Sequence, residues 1–231
     1  MCCATDLPGI ANTSATAILD FGSEEIQAVV ANVGTCQSHR EYVRTAHRKL
    51  CDLVTPAYAV DELQPASRTI RKRKGSCSQR MACLEAVARA ANIPTRVHAL
   101  FISREFWYPR FLLARRFMPS HILLLWPQFF LGGWVDFDEL HAPMEETIKR
   151  SPSFRNDAES LFEAVGNASV DFFGKSCGLP CALPGHDLSR FVVSDEGLFN
   201  TRDEALSKFG SLRQTIRGQA FELIFGGRKT V

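Results

Sequence analysis

The sequence predicts an α+β fold in which a helix with a cysteine at its N-terminus packs against an antiparallel sheet. Three observations carry this reading. Helical periodicity dominates the chain from Ser23 to Asn92, strand-like segments succeed one another from Thr95 onward, and a glycine pair at Gly132-Gly133 turns one of those strands back on its neighbour. A chain of 231 residues can bury one sizeable core. The expected organisation is therefore a core with two leading helices over 1–141 and a mostly helical extension over 142–231 packed on the same domain.

Ser23 is a candidate N-cap for a helix carrying Ile26, Val29, Val30 and Val33 on one face, and Gly34 is placed to end it. A second helix is expected from about Ser38 to Leu53, with Val43, Ala46, Leu50 and Leu53 as its stripe and Pro56 beyond its end. Residues 57–74 read as an irregular connection ending in the cationic run Arg71-Lys72-Arg73-Lys74. A third helix then starts at Cys77, with Met81, Leu84, Ala88 and Ala91 on one buried face and Asn92 able to take the left-handed position before Ile93-Pro94.

Strands are expected at Thr95 to Ile102, Ile122 to Trp126 and Gly133 to Phe137. Between the first two, Ser103 to Ser120 mixes five aromatic residues with four arginines. This segment, with Phe106, Trp107, Tyr108, Arg110, Phe111, Arg115 and Arg116, suits either a cleft wall that holds an acidic group or an amphipathic helix with snorkelling arginines. Further on, Leu188 to Val193 suits a strand, and Thr201 with Glu204 forms a capping-box pattern for a helix ending at Gly210. A last helix carries Leu212, Ile216, Ala220 and Ile224 and should stop at Gly226-Gly227.

Composition excludes several classes of function. A net charge of +2, from 27 Lys+Arg against 25 Asp+Glu, gives no basis for a nucleic-acid partner. The most apolar stretch, Phe111 to Val135, is interrupted by Arg115, Arg116, His121 and Pro127-Gln128, so no membrane span is expected. Met1-Cys2-Cys3-Ala4-Thr5-Asp6 lacks a basic region followed by an apolar one, which points to a cytoplasmic protein. The eight cysteines, at 2, 3, 36, 51, 77, 83, 177 and 181, are irregularly spaced and expected to be reduced. Cys177 and Cys181 are followed by His186 but have no second close pair, so neither a metal nor a cofactor is expected. The oligomeric state is left open.

Cys77 has a chemical setting. A helix N-terminus stabilises a thiolate through unpaired N–H groups and the positive end of the dipole, and Gly75 and Ser76 leave room for a carbonyl. The competing reading is a small buried hydrophobe, and Cys83, six residues along the same helix with no such setting, provides the comparison. A cysteine nucleophile needs a base and a group that orients the base. His121, opening the strand "HILLLW", is the candidate base and His141 the runner-up; His98 reads as a core residue, and His39 and His47 as solvated helix positions. Asp136 and Asp138 lie two apart on one strand face, and either could orient the imidazole.

Taken together, "GSCSQRMACLEAVARAANIPTRV", "SHILLLW" and "GGWVDFDEL" resemble the transglutaminase-like superfamily, a papain-like Cys-His-Asp fold. The resemblance covers roughly Ser23 to Leu140. It implies the catalytic set Cys77, His121 and Asp138, selecting Asp138 because the family aspartate falls four residues after a tryptophan, here Trp134. The sequence departs from the family at Ile122-Leu123, where Ala-Trp is frequent, and at Glu139-Leu140, where Pro-Thr is frequent. The implied reaction is acyl transfer through a thioester, with hydrolysis of an amide favoured on a peptide, small-molecule or carrier-bound substrate. The alternatives are an amide-forming acyltransferase and a non-catalytic transglutaminase-like binding module.

Overall fold

The computed structural model describes residues 13–107, 118–137 and 191–227. Four helices come first. α1 (Glu24–Val33) starts after Ser23 and ends at Gly34, whose φ of 71° lies in the left-handed region that suits glycine. α2 (His39–Leu53) is capped by Ser38, whose side chain accepts from the Glu41 N–H, and it buries Val43, Ala46 and Leu50. The expected irregular connection over 57–74 instead contains α3 (Ala66–Lys72), and two short strands at its ends, β1 (Thr55–Pro56) and β2 (Lys74–Gly75), pair in parallel. α3 is too short to stand alone, and it forms because Ala66 and Ile70 reach the core.

α4 (Cys77–Ala90) is the axis of the helical layer. The sequence predicts one buried face, but every residue from Cys77 to Arg89 is buried. α1, α2 and α3 all pack on it and the sheet covers the remaining side, so its small residues Ala82, Ala86 and Ala88 allow close approach in several directions. Asn92 takes the left-handed conformation at φ 57° and releases the chain into β3.

The main sheet has the order β5-β4-β3-β6 and is antiparallel throughout, with β3 (Thr95–Ser103), β4 (His121–Phe130), β5 (Trp134–Asp136) and β6 (Val192–Phe199). β4 runs four residues beyond the expected end, through Pro127. The Phe130 N–H donates to the Pro94 carbonyl beside β3, so alternation puts the Pro127 nitrogen on the β5 side. The ladder with β5 covers Phe130, Phe129 and Gln128 and stops before that missing donor. Within this ladder Arg96 Nε donates to Gln128 Oε1 (2.7 Å), Gln128 Nε2 donates to Asp136 Oδ1 (2.8 Å), and the Arg96 guanidinium lies 4.0 Å from the centre of a Trp134 ring.

β6 begins at Val192, so the strand expected at Leu188 to Val193 lies further along the chain, and residues 188–190 fall outside the described residues. It joins the edge of β3, where His98 Nε2 and Asp195 Oδ1 are 2.5 Å apart. α5 (Arg202–Phe209) follows, with Thr201 accepting from the Glu204 N–H as the capping pattern predicts. α6 (Ile216–Phe225) corrects the expected stripe. Ile216 is 87% exposed, Ala220 and Ile224 are exposed, and the helix turns Gly218 and Phe221 inward instead. Its close approach explains the glycine, since a Cβ on Gly218 would lie 1.8 Å from the Leu212 carbonyl oxygen.

Three segments distant in sequence meet at Arg89. Its Nε donates to Thr95 Oγ1, Nη1 to the Ser14 carbonyl, and Nη2 to the carbonyls of Thr95 and Asn200. Burial disfavours the charged guanidinium, and these acceptors together with the nearby Glu85 and Asp203 carboxylates offset that cost.

Candidate active site

Cys77 is the first residue of α4. Ser76 accepts from the Gln79 N–H (3.3 Å) while Gln79 Oε1 accepts from the Ser76 N–H (3.0 Å), a reciprocal capping box that sets where the helix begins. Gly75 is required here, because a Cβ would lie 2.7 Å from Thr69 Cγ2.

The Cys77 end of α4 opens into a cleft of about 110 Å³. Its walls are mainly apolar: Ala57, Ala59 and Val60 from the segment after β1, Met118, Ile122, Leu123 and Leu124 at the start of β4, and Leu212, Gly218 and Phe221 around α6. Glu62, Ser76, Ser78, Tyr58 and Arg217 supply its polar groups. Cys77 is 9% exposed, whereas Cys83 is fully enclosed and its Sγ lies 3.5 Å from the Ala66 carbonyl oxygen.

Beneath the cleft a buried polar relay joins α4 to α5. Arg202 donates from Nε to Glu85 Oε1 (2.5 Å), from Nη1 to Ser78 Oγ (3.1 Å) and from Nη2 to the Leu125 carbonyl (3.1 Å). Ser78 in turn hydrogen-bonds the Glu62 carboxyl. Burial pushes the Glu62 carboxyl up to about 7, with Arg202 and the Ser78 bond opposing the shift.

The thiol departs from expectation. A helix N-terminus should lower its pKa, yet burial pushes Cys77 up to about 11; the hydrogen bond from the Ser78 backbone opposes the shift and the Glu62 charge adds to it. Desolvation outweighs the dipole, so the resting group is a neutral thiol. Cys83 is pushed further, to about 12, chiefly by burial.

The structure brings Cys77 together with Glu62 and Ser78. His121 is the exposed first residue of β4, opposite Ser103, with its Nδ1 3.5 Å from Ser120 Oγ. It is absent from the cleft lining, although Pro119 and Ile122 on either side of it are present. Asp138 lies outside the described residues, as do His141, Cys177, Cys181 and His186. Asp136 sits in the ladder with Gln128 and Arg96. His47, expected to be solvated, is half-buried with its ring edge-on to Phe137 at 5.5 Å.

A model of the Transglutaminase-like superfamily matches residues 27–139. No curated protein and no solved structure matches the chain. The mixed helical and antiparallel architecture is consistent with a transglutaminase-like core, and that superfamily is generally one of cysteine-based acyl transfer or hydrolysis. Among the described residues no helix is long and apolar enough to cross a membrane, no group of three His, Cys, Asp or Glu could hold a metal ion, and no disulfide joins Cys36, Cys51, Cys77 and Cys83.

Sequence reasoning missed Glu62, Ser78 and Arg202. Ser78 was within reach, because the Ser76-x-x-Gln79 pattern places it in the first turn. Glu62 and Arg202 carry no local signal, since each meets α4 only through the tertiary fold.

Proposed function

We propose that this transglutaminase-like domain catalyses acyl transfer through a thioester at Cys77, with amide hydrolysis as the reaction. The observation that carries this reading is the position of Cys77 at the capped start of α4, lining an apolar cleft. The substrate is an amide whose acyl side is apolar, since the walls of the cleft are mainly apolar side chains.

In the proposed mechanism the thiol is neutral at rest, so attack on the carbonyl carbon is coupled to transfer of the thiol proton to His121. The Cys77 backbone N–H supports the developing oxyanion. The imidazolium, oriented by Asp138, protonates the leaving amine as the C–N bond breaks. Water then attacks the thioester, His121 takes its proton, and the acid leaves as the thiol is restored. With an amine in place of water the same steps form a new amide.

The binding-module reading has an observation in its favour, the neutral buried thiol with His121 outside the cleft lining. The two readings separate on brief substoichiometric iodoacetamide labelling at neutral pH, followed by peptide mapping of the wild type and His121→Ala. Acyl transfer predicts selective Cys77 labelling that the variant loses. Slow labelling spread over several cysteines, unchanged by the variant, overturns it.

A further inference from the structure

Behind the Cys77 cleft, across the shared wall Ala57 to Ala59, lies a second pocket of about 160 Å³ with an opposite character. It collects the side chains of Arg68, Lys72, Lys74 and Arg213, with Asp61 and Glu222 as its carboxylates.

The cationic run before Cys77 is divided by local geometry. Arg71 points to α1 and pairs with Glu25 at 2.5 Å. Arg73 takes a left-handed conformation (φ 51°), and its carbonyl accepts from the Thr55 N–H and hydroxyl. Lys72 and Lys74, on either side of that turn, both line the pocket.

The fixed partners do not balance the charge. Asp61 pairs with Arg213, and Glu222 accepts the Val60 N–H (2.9 Å) through one oxygen. Lys72 Nζ donates to the neutral Gln64 Oε1 (2.6 Å), whose amide nitrogen is held by Thr69 Oγ1 (2.7 Å). Gln79 Nε2 is taken by the Asp61 carbonyl (2.8 Å). Arg68, Lys72 and Lys74 thus face one remaining carboxylate, Glu222, and the pocket is left with two positive charges in excess. Burial, then Arg68, and also Lys74 push the Lys72 ammonium below its ordinary value, while Glu222 opposes the shift, as expected where cations converge without an anion among them.

We propose that this pocket binds a phosphate dianion, as inorganic phosphate or as the phosphoryl group of a small monoester. A phosphoryl group carries about −1.5 to −2 charges near pH 7 and offers oxygens in several directions, which matches the excess charge and the spread of lysine and arginine donors. The volume suffices, because water occupies roughly 30 Å³ in the liquid and a five-atom oxyanion with part of its hydration fits within 160 Å³. The proposal is independent of the chemistry at Cys77.

Neighbouring arginine and lysine provide the test, since Arg71→Gln and Lys72→Gln remove the same charge one residue apart. Binding of inorganic phosphate and of methyl phosphate is measured calorimetrically on the full chain, with chloride holding ionic strength constant. The expected result is saturable binding by the wild type, weakened about tenfold or more in Lys72→Gln and less than about threefold in Arg71→Gln. Tighter binding of methyl phosphate identifies a monoester as the ligand class, and tighter binding of the inorganic ion identifies free phosphate. Arg68→Gln, also at an exposed position, repeats the test should Lys72→Gln fold poorly. Absence of binding to the wild type, or equal weakening in the Arg71 and Lys72 variants, overturns the proposal.

Discussion

Cys77 and Cys83 sit on one helix, six residues apart, and both thiols are pushed well above the ordinary range by burial. Their surroundings differ. Cys83 lies in the middle of α4 against the Ala66 carbonyl, enclosed by core, whereas Cys77 occupies the first turn with a cleft in front and a charged relay behind. The lesson is that pKa alone does not separate a structural thiol from a reactive one here. Access, helix position and the groups that can exchange a proton make the difference.

The largest expected effect falls on Cys77 itself. Under the proposed mechanism Cys77→Ser lowers kcat/KM by about a thousandfold or more, while Cys83→Ser retains turnover and loses stability, as read by steady-state kinetics and urea unfolding. Equal kinetic losses in the two variants would erase the distinction. Next is the relay behind Cys77: Arg202→Met leaves Glu85 buried without its partner and should cost about 3–5 kcal/mol in urea unfolding.

Glu62→Gln tests the pH dependence of the Cys77 end. The Glu62 carboxyl titrates near 7 in the folded chain against an ordinary value of 4.5, so between these values the folded state holds a proton that the unfolded state has lost. Its contribution to stability therefore falls as pH rises from about 4.5 to 7 and levels off above. The variant should gain stability over wild type at pH 8 and little at pH 4, measured by thermal unfolding. It should also speed Cys77 alkylation at pH 8 and leave Cys83 unaffected, because only Cys77 feels the Glu62 charge as a raising influence. The smallest effect is expected at the cap, where Ser76→Ala should cost about 1 kcal/mol in urea unfolding.

Features set by neighbours in sequence were the legible ones. The starts of α2 and α5 follow from Ser38 and Thr201, whose side chains cap them, and the end of α4 follows from Asn92 before Ile93-Pro94. α1 does begin after Ser23, but the Ser23 hydroxyl makes no cap bond, so the candidate cap is not what starts it. β3 was read nearly to its end because its alternation is local. α3 was not legible, since seven residues behind a proline show no amphipathic period and depend on packing. The inward face of α6 was misread because close backbone approach at Gly218 decided it over the apolar residues Ile216, Leu223 and Ile224. At the candidate site, Cys77 could be found from its glycine turn and helix, whereas Glu62 reaches the cleft only through the tertiary fold, and Ser78 is held by an arginine 124 residues away.

The Arg202–Glu85 pair spans 117 residues of chain and is fully enclosed. During synthesis the helix bearing Cys77 leaves the ribosome long before residue 202, and until then Glu85 lacks its hydrogen-bonded partner and has only the Arg89 guanidinium of its own helix nearby. A nascent chain in that state keeps a carboxylate at the centre of its helical layer, which favours a proton on Glu85 or a loosened helix. The native arrangement beneath Cys77 is therefore completed only when the arginine of the last third arrives, a timing that a sequence ending at residue 139 would never reach.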